Sequence, residues 1–89
     1  MRTLRRTSQF KKDFKRAKRA GKPIAELTEV IGQLQSDNPL PPKRRDHVLI
    51  GKFAHTRECH LAPDWLLIYQ LDDDQLTLIR LGSHSELFG

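Results

Sequence analysis

The chain of 89 residues lacks most of the features that anchor small proteins or announce a chemistry. It has one cysteine, Cys59, so no disulfide closes within it and no Cys pair begins a zinc site. Aromatic residues are only 7%, with a single Trp and a single Tyr, so a core must be largely aliphatic. No stretch approaches the ~20 apolar residues of a membrane span. Met1–Arg6 is basic, but no apolar stretch follows it, and it does not read as a secretory signal. Neither G-x-x-x-x-G-K-[ST] nor G-x-G-x-x-G occurs, which argues against a nucleotide cofactor. No Ser-centred nucleophile motif is present. The four histidines, His47, His55, His60 and His84, show no H-x-x-x-H spacing, and no Cys/His cluster accompanies them. No metal and no cofactor are therefore expected. These absences point to one domain over residues 1–89 in a reducing, cytoplasmic setting.

Charge is present in quantity and is unevenly placed. Net charge is +5. Residues 1–45 hold 13 Lys and Arg against 4 Asp and Glu, whereas residues 46–89 hold 3 against 7. A basic half with clustered lysine and arginine is the footprint of a nucleic-acid binder, and equally of a solvated helix face.

Hydropathy then organises the chain. Residues 2–6 suit a short strand. Thr7 or Ser8 can cap a helix in which Phe10, Phe14 and Ala17 share one face. Lys11, Lys12, Lys15 and Arg16 fall on its other faces. Gly21 ends this helix and Pro23 suits the start of the next, where Ile24, Leu27, Val30, Ile31 and Leu34 recur at helical spacing. After Pro39, Pro41 and Pro42 the pattern changes to strands: His47 to Ile50, Thr56 to Leu61, Trp65 to Leu71 and Leu76 to Leu81. Trp65 to Leu71 is almost continuously apolar, as a strand covered on both faces would be. The expected fold is α+β: a twisted antiparallel sheet with a two-helix N-terminal hairpin on one face, in the order β-α-α-β-β-β-β.

With two-residue loops at Pro63-Asp64 and Asp73-Asp74, the pleat sorts the side chains. Cys59, Leu61, Leu66, Ile68, Ile79 and Leu81 then face the helices. Glu58, His60, Trp65, Leu67, Tyr69, Leu78 and Arg80 face away. A shift of one residue in either hairpin flips a strand's assignment.

Taken singly, the polar residues are ordinary. A strand histidine is usually a surface or satisfied residue, Asp64 suits a turn after proline, and Trp65 and Tyr69 suit a core as well as a binding face. Together they form a pattern: Asp46-His47-x-Leu49-x-Gly51, then His60-Leu61-Ala62-Pro63-Asp64-Trp65-Leu66-Leu67-Ile68-Tyr69, then Gly82-Ser83-His84-Ser85-Glu86-Leu87-Phe88-Gly89. With Ser8-Gln9-Phe10-Lys11-Lys12-Asp13 near the start, the whole chain resembles the YafQ branch of the RelE/ParE toxin superfamily.

That resemblance implies a toxin of a type II toxin-antitoxin system, a ribosome-dependent messenger-RNA endoribonuclease that cuts A-site codons. It implies as partners a cognate antitoxin, the 70S ribosome and mRNA, with no membrane. It places function on His47, His60, Asp64, His84 and Phe88, with Trp65 beside them and Arg80 near the scissile phosphate. The chemistry of these residue types agrees. RNA carries its own nucleophile, the 2′-hydroxyl, so the enzyme supplies a base, an acid and positive charge. Histidines can act as both base and acid near neutral pH without a metal, and arginine offers a planar fork to phosphate. His84 is the expected principal proton-transfer residue, more readily the acid, with Asp64 or His60 as base and His47 holding the phosphate or its neighbours. Phe88 and Trp65 are expected to contact bases. Lys11, Lys12, Lys15 and Arg16 are expected on RNA phosphates. The alternatives within this reading are a ParE-like gyrase poison and a non-catalytic binding module of the same fold.

Overall fold

Thr7 sets the entry into the fold. Its N–H donates to the Leu78 carbonyl at 3.0 Å and its hydroxyl to the Ile79 carbonyl at 2.8 Å. The same hydroxyl oxygen accepts from the Phe10 N–H at 3.0 Å. One residue thus closes β1 (Thr3–Arg6) and N-caps α1 (Ser8–Arg19). The computed structural model describes residues 1–89 throughout.

Gly21, at φ +74°, makes the left-handed turn that returns the chain into α2 (Ile24–Gln35). Phe10, Ala17, Leu27, Val30 and Leu34 are buried along the two helices as the periodicity predicts. Asp13, also buried in α1, is not predicted by it. The remaining elements are β2 (His47–Val48), β3 (Arg57–Ala62), β4 (Trp65–Leu71), β5 (Gln75–Gly82) and α3 (His84–Phe88). No helix is long and apolar enough to cross a membrane.

The sheet order is β1-β5-β4-β3-β2. The β2–β3, β3–β4 and β4–β5 pairs are antiparallel, as expected. β1 lies parallel to β5, a pairing that the long connection through the helical hairpin and the meander permits. The sheet is therefore mixed rather than wholly antiparallel. Trp65 through Tyr69 on central β4 are all buried, so this strand is covered on both faces as its apolar run implies.

The β3–β4 loop is the expected Pro63-Asp64, and at the β4–β5 turn the Asp72 N–H on the Gln75 carbonyl at 3.0 Å keeps the expected register at the tip, but the expected facing of the side chains is corrected by two bulges. The register slips between His60 and Ala62 on β3, and between Ile68 and Tyr69 where β4 meets β5. Each bulge adds one residue to one strand and exchanges the faces beyond it. Cys59 therefore pairs with Leu67, not Ile68, and Leu81 with Leu67, not Leu66. The helix-facing core unites Cys59, Leu61 and Leu81 with Trp65, Leu67, Tyr69, Leu76 and Leu78. Leu66 and Ile68 face the other way, packed with Ile79 and with Leu87 of α3.

That second face is not bare. Leu49 and Phe53, from the segment between β2 and β3, pack beside Leu87 over Leu66 and Ile68. α3 is capped at both ends of its first turn: the Ser83 hydroxyl accepts from the Glu86 N–H at 3.2 Å, and Glu86 Oε1 accepts from the Ser83 N–H at 2.8 Å. This capping box is written in the sequence as Ser83-x-x-Glu86, a signal that identifies the short helix.

Candidate active site

On the face away from α1 and α2, β2 and β3 bring a carboxylate between two histidines. His47 and Glu58 are direct cross-strand partners. Glu58 and His60 are two apart on β3 and share its face. Glu58 Oε1 lies 3.7 Å from His47 Nε2 and 3.6 Å from His60 Nε2. The Glu58 side chain is 3% exposed, whereas His47 is 50% and His60 20% exposed. An almost buried carboxylate thus underlies two solvent-reaching imidazoles. The His47 ring is oriented from the other side, since Nδ1 donates to the Arg45 carbonyl at 2.7 Å. That leaves Nε2 as the nitrogen directed at Glu58. Glu58 is a residue to which the sequence pattern assigns no role. Its alternation with His60 and its position opposite His47 are the signals that find it.

The second half of the site comes from α3. His84 is its first residue, and the His84 N–H donates to Asp64 Oδ1 at 3.0 Å. Asp64 sits in the β3–β4 turn, so its carboxylate joins the hairpin that carries His60 to the helix that carries His84. An acidic group at a helix N-terminus also meets the orphan N–H dipoles there. One turn later Phe88 places its ring 5.0 Å from the His84 ring and 5.7 Å, edge-on, from Phe53. His84, Phe88 and Phe53 form a partly exposed aromatic shelf. Phe53 is a further member that the sequence pattern does not single out.

The other expected residues fall elsewhere. Trp65 is 1% exposed and lies in the helix-facing core, so it is corrected from a base-contacting residue to a support of the β3–β4 turn. The bulge in the meander is what turns it inward. Arg80 reaches α1, with Nε 2.8 Å from Asp13 Oδ2 and Nη2 3.4 Å from Oδ1, leaving Nη1 uncommitted. Arg16 is likewise engaged, 3.3 Å from both Asp13 and Glu86. It ties α1 to α3 rather than standing free for RNA. Lys11, Lys12 and Lys15 are exposed on α1.

Asp13 organises this border. Beyond Leu78, β1 no longer covers the edge of β5, and Asp13 Oδ2 accepts the Leu81 N–H there at 3.0 Å. Burial pushes the Asp13 carboxyl up, but hydrogen bonds from Arg80, the Leu81 N–H and Gln9 more than reverse this and hold it below 3.8. At the opposite border, Asp46 accepts from Arg57 Nε at 3.2 Å and Nη2 at 3.0 Å, and from the Tyr69 hydroxyl. Burial first, and then this bond, raise the Tyr69 hydroxyl above its ordinary value. Asp46 therefore pins the chain immediately before His47.

The arrangement offers imidazoles for proton transfer, a shelf for stacking and a nearly buried carboxylate within 3.7 Å of both strand histidines. No three of its His, Cys, Asp and Glu side chains converge as a metal-binding group.

Comparison with known proteins sets this geometry in context. The family described as bacterial toxin of type II toxin-antitoxin system, YafQ, matches residues 2–89. The mRNA interferase toxin YafQ of Escherichia coli K12 is 37% identical over 89 residues, spanning 99% of this chain and 97% of that protein. A crystal structure of the E. coli DinJ–YafQ toxin-antitoxin complex contains a chain 37% identical, with a TM-score of 0.92, covering 99% of this chain and 98% of that one. A copper-bound mutant toxin from Helicobacter pylori is 46% identical, with a TM-score of 0.94, over 99% of this chain and 100% of that chain.

Proposed function

The chain belongs to the YafQ family of type II toxin-antitoxin toxins, and from that premise we propose that it is an mRNA interferase, an endoribonuclease that cuts messages in the ribosomal A site. The observation that carries the reading is the bond from the His84 N–H to Asp64 Oδ1. It seats the exposed His84 imidazole at the end of the hairpin that bears His60, with Phe88 against it as a stacking surface.

In the proposed reaction His60 takes the proton of the 2′-hydroxyl. The 2′-oxygen attacks phosphorus, the bond from phosphorus to the 5′-oxygen breaks, and His84 protonates that leaving oxygen. The products are a 2′,3′-cyclic phosphate and a 5′-hydroxyl. Asp64, with one carboxylate oxygen committed to α3, acts chiefly by positioning His84, which favours His60 over Asp64 as base. Glu58 holds the imidazoles of His60 and His47 in place and stabilises the charge that His60 gains. The free Nη1 of Arg80 supplies positive charge to the phosphorane, and His47 contacts the phosphate from β2. Proton transfer by such groups is worth ~10²–10⁴-fold each. No step requires a metal in this scheme, so toxin treated with chelator and then freed of it before the assay is expected to cleave as fast as untreated toxin.

Exposed Lys11, Lys12 and Lys15 suit contact with ribosomal RNA phosphates without reading sequence. A cognate antitoxin is the proposed inhibitor, as DinJ is found with the E. coli relative, and the cytoplasm, where translation occurs, is the proposed compartment. The test is to add the protein to a purified translation system and map fragment 5′ ends. Cuts inside A-site codons, absent without ribosomes, are expected. Intact messages in an active system would refute the reading.

A further inference from the structure

The segment Lys43-Arg44-Arg45 reads as one basic cluster, but the fold separates its members. Arg44 is 3% exposed and acts as an anchor. Its Nη1 donates to the Leu61 carbonyl at 3.2 Å, its Nη2 lies 2.9 Å from Glu29 Oε2, and Glu26 is 3.7 Å away. This lays the segment along the edge of β3 that β2 leaves uncovered, since β2 pairs only with Arg57 and Glu58.

Lys43 and Arg45, on either side, are exposed and paired with no carboxylate. With His60 and Pro63 they line a cleft of about 420 Å³. The one carboxylate lining the cleft, that of Glu26, is directed with Glu29 at Arg44, which leaves Lys43 and Arg45 as its unpaired charges. The cleft runs from His60 to the turn that bears Asp64, so it opens directly beside the proposed chemistry. Arg45 is also the residue whose carbonyl fixes His47, held there by a left-handed backbone at φ 50° and ψ 43°.

We propose that Lys43 and Arg45 bind a backbone phosphate of the message next to the scissile one, making this cleft a second phosphate subsite. The inference rests on the nuclease reading above. A substrate strand seated over His60 and His84 must continue beyond them, and this cleft is a cationic path adjoining His60. Because the Arg45 carbonyl also orients His47, filling the subsite would steady the histidine as well as the strand.

The experiment uses the whole chain in a purified translation system with short synthetic messages. One message is unmodified, and two carry a single uncharged methylphosphonate, on one or the other side of the scissile bond. The variant is Lys43→Gln with Arg45→Asn. Asparagine tolerates the left-handed backbone that Arg45 adopts, and matched melting curves establish that the variant folds. Wild type is expected to cut one methylphosphonate message about two- to fivefold more slowly, the size of one partly exposed charge contact. The variant is expected to cut the unmodified message about as slowly, and to lose nothing more on that modified one. Its dependence on salt should also be shallower, by about one phosphate contact.

The proposal is overturned if the variant cuts as fast as wild type. It is equally overturned if variant and methylphosphonate effects multiply, or if the variant is slowed on every message through weaker ribosome binding. If wild type cuts none of the messages, the nuclease reading itself falls, and the subsite with it.

Discussion

Removing the carboxylate of Asp13 tests the border on which both arginines of the α1–β5 seam depend. The side chain is fully buried, with donors from four residues around it: Leu81 N at 3.0 Å, Arg80 Nε at 2.8 Å and Nη2 at 3.4 Å, Gln9 Nε2 at 3.2 Å and Arg16 Nη2 at 3.3 Å. Asp13→Ala leaves the buried Leu81 N–H without a partner, at a cost of about 1–3 kcal/mol. It also strips the counter-charge from Arg80, whose side chain is 20% exposed, so the cost of ~3–5 kcal/mol for breaking a buried pair applies only in part. A loss of about 3 kcal/mol results, and at ~4–8 °C per kcal/mol for a chain of this size the melting temperature falls by about 12–24 °C. Asp13→Asn keeps an acceptor for Leu81 and loses the charge, so it should cost about half as much.

The two variants also differ with pH. The folded Asp13 carboxyl lies below its unfolded value of 3.8, so its contribution is fully present above that value. It is lost as pH falls through the folded value. The gap between wild type and Asp13→Asn should therefore be open at neutral pH and close in acid, below about pH 4. Urea unfolding followed by circular dichroism across pH 2.5–7 measures this. A melting point for Asp13→Ala within ~2 °C of wild type, or a gap that widens in acid, would refute the reasoning.

Three further outcomes follow from the geometry. Glu58→Gln should keep the fold and lower message cleavage about 10–100-fold, since a general acid–base pair loses part of its ~10²–10⁴-fold effect when its orienting carboxylate is neutralised; rates within twofold of wild type would remove Glu58 from the site. Leu87→Ala should release α3 from Leu66 and Ile68 for about 2 kcal/mol, so cleavage should fall far more than global stability, as hydrogen exchange at His84–Phe88 would register. The Cys59 thiol, pushed up to about 12 chiefly by burial, should resist alkylating reagents at pH 8 until the protein unfolds; rapid native labelling would contradict its placement.

Much of this architecture is legible in the residues alone. Thr7 as a cap, the apolar stripe of Leu27, Val30 and Leu34, and the unbroken run of Trp65 to Tyr69 each express one strong local preference, and the fold satisfies all three. The bulges were not legible. β4 is apolar on both faces, so its pattern cannot choose between two registers one residue apart, and the turn lengths were the only guide. The register at each turn is the expected one, yet the extra residue lies inside the strands. Trp65 therefore moved to the core while His60 and Glu58 kept their expected face. The engagement of Arg16 and Arg80 with an internal carboxylate is hidden for a related reason: in a chain with 16 lysines and arginines, only tertiary contacts reveal which ones meet it. Asp13, the carboxylate that both of them meet, lies among the basic residues of α1.

The most direct test of the central claim is to compare wild type with His84→Ala in a purified translation system and to identify the fragment ends. Wild type is expected to give fragments that end in a 2′,3′-cyclic phosphate and begin with a 5′-hydroxyl, cut within A-site codons, and His84→Ala to lose about 10²–10⁴-fold in rate. Undiminished cleavage by folded His84→Ala would contradict the assigned mechanism. Fragments that begin with a 5′-phosphate would contradict attack by the 2′-hydroxyl.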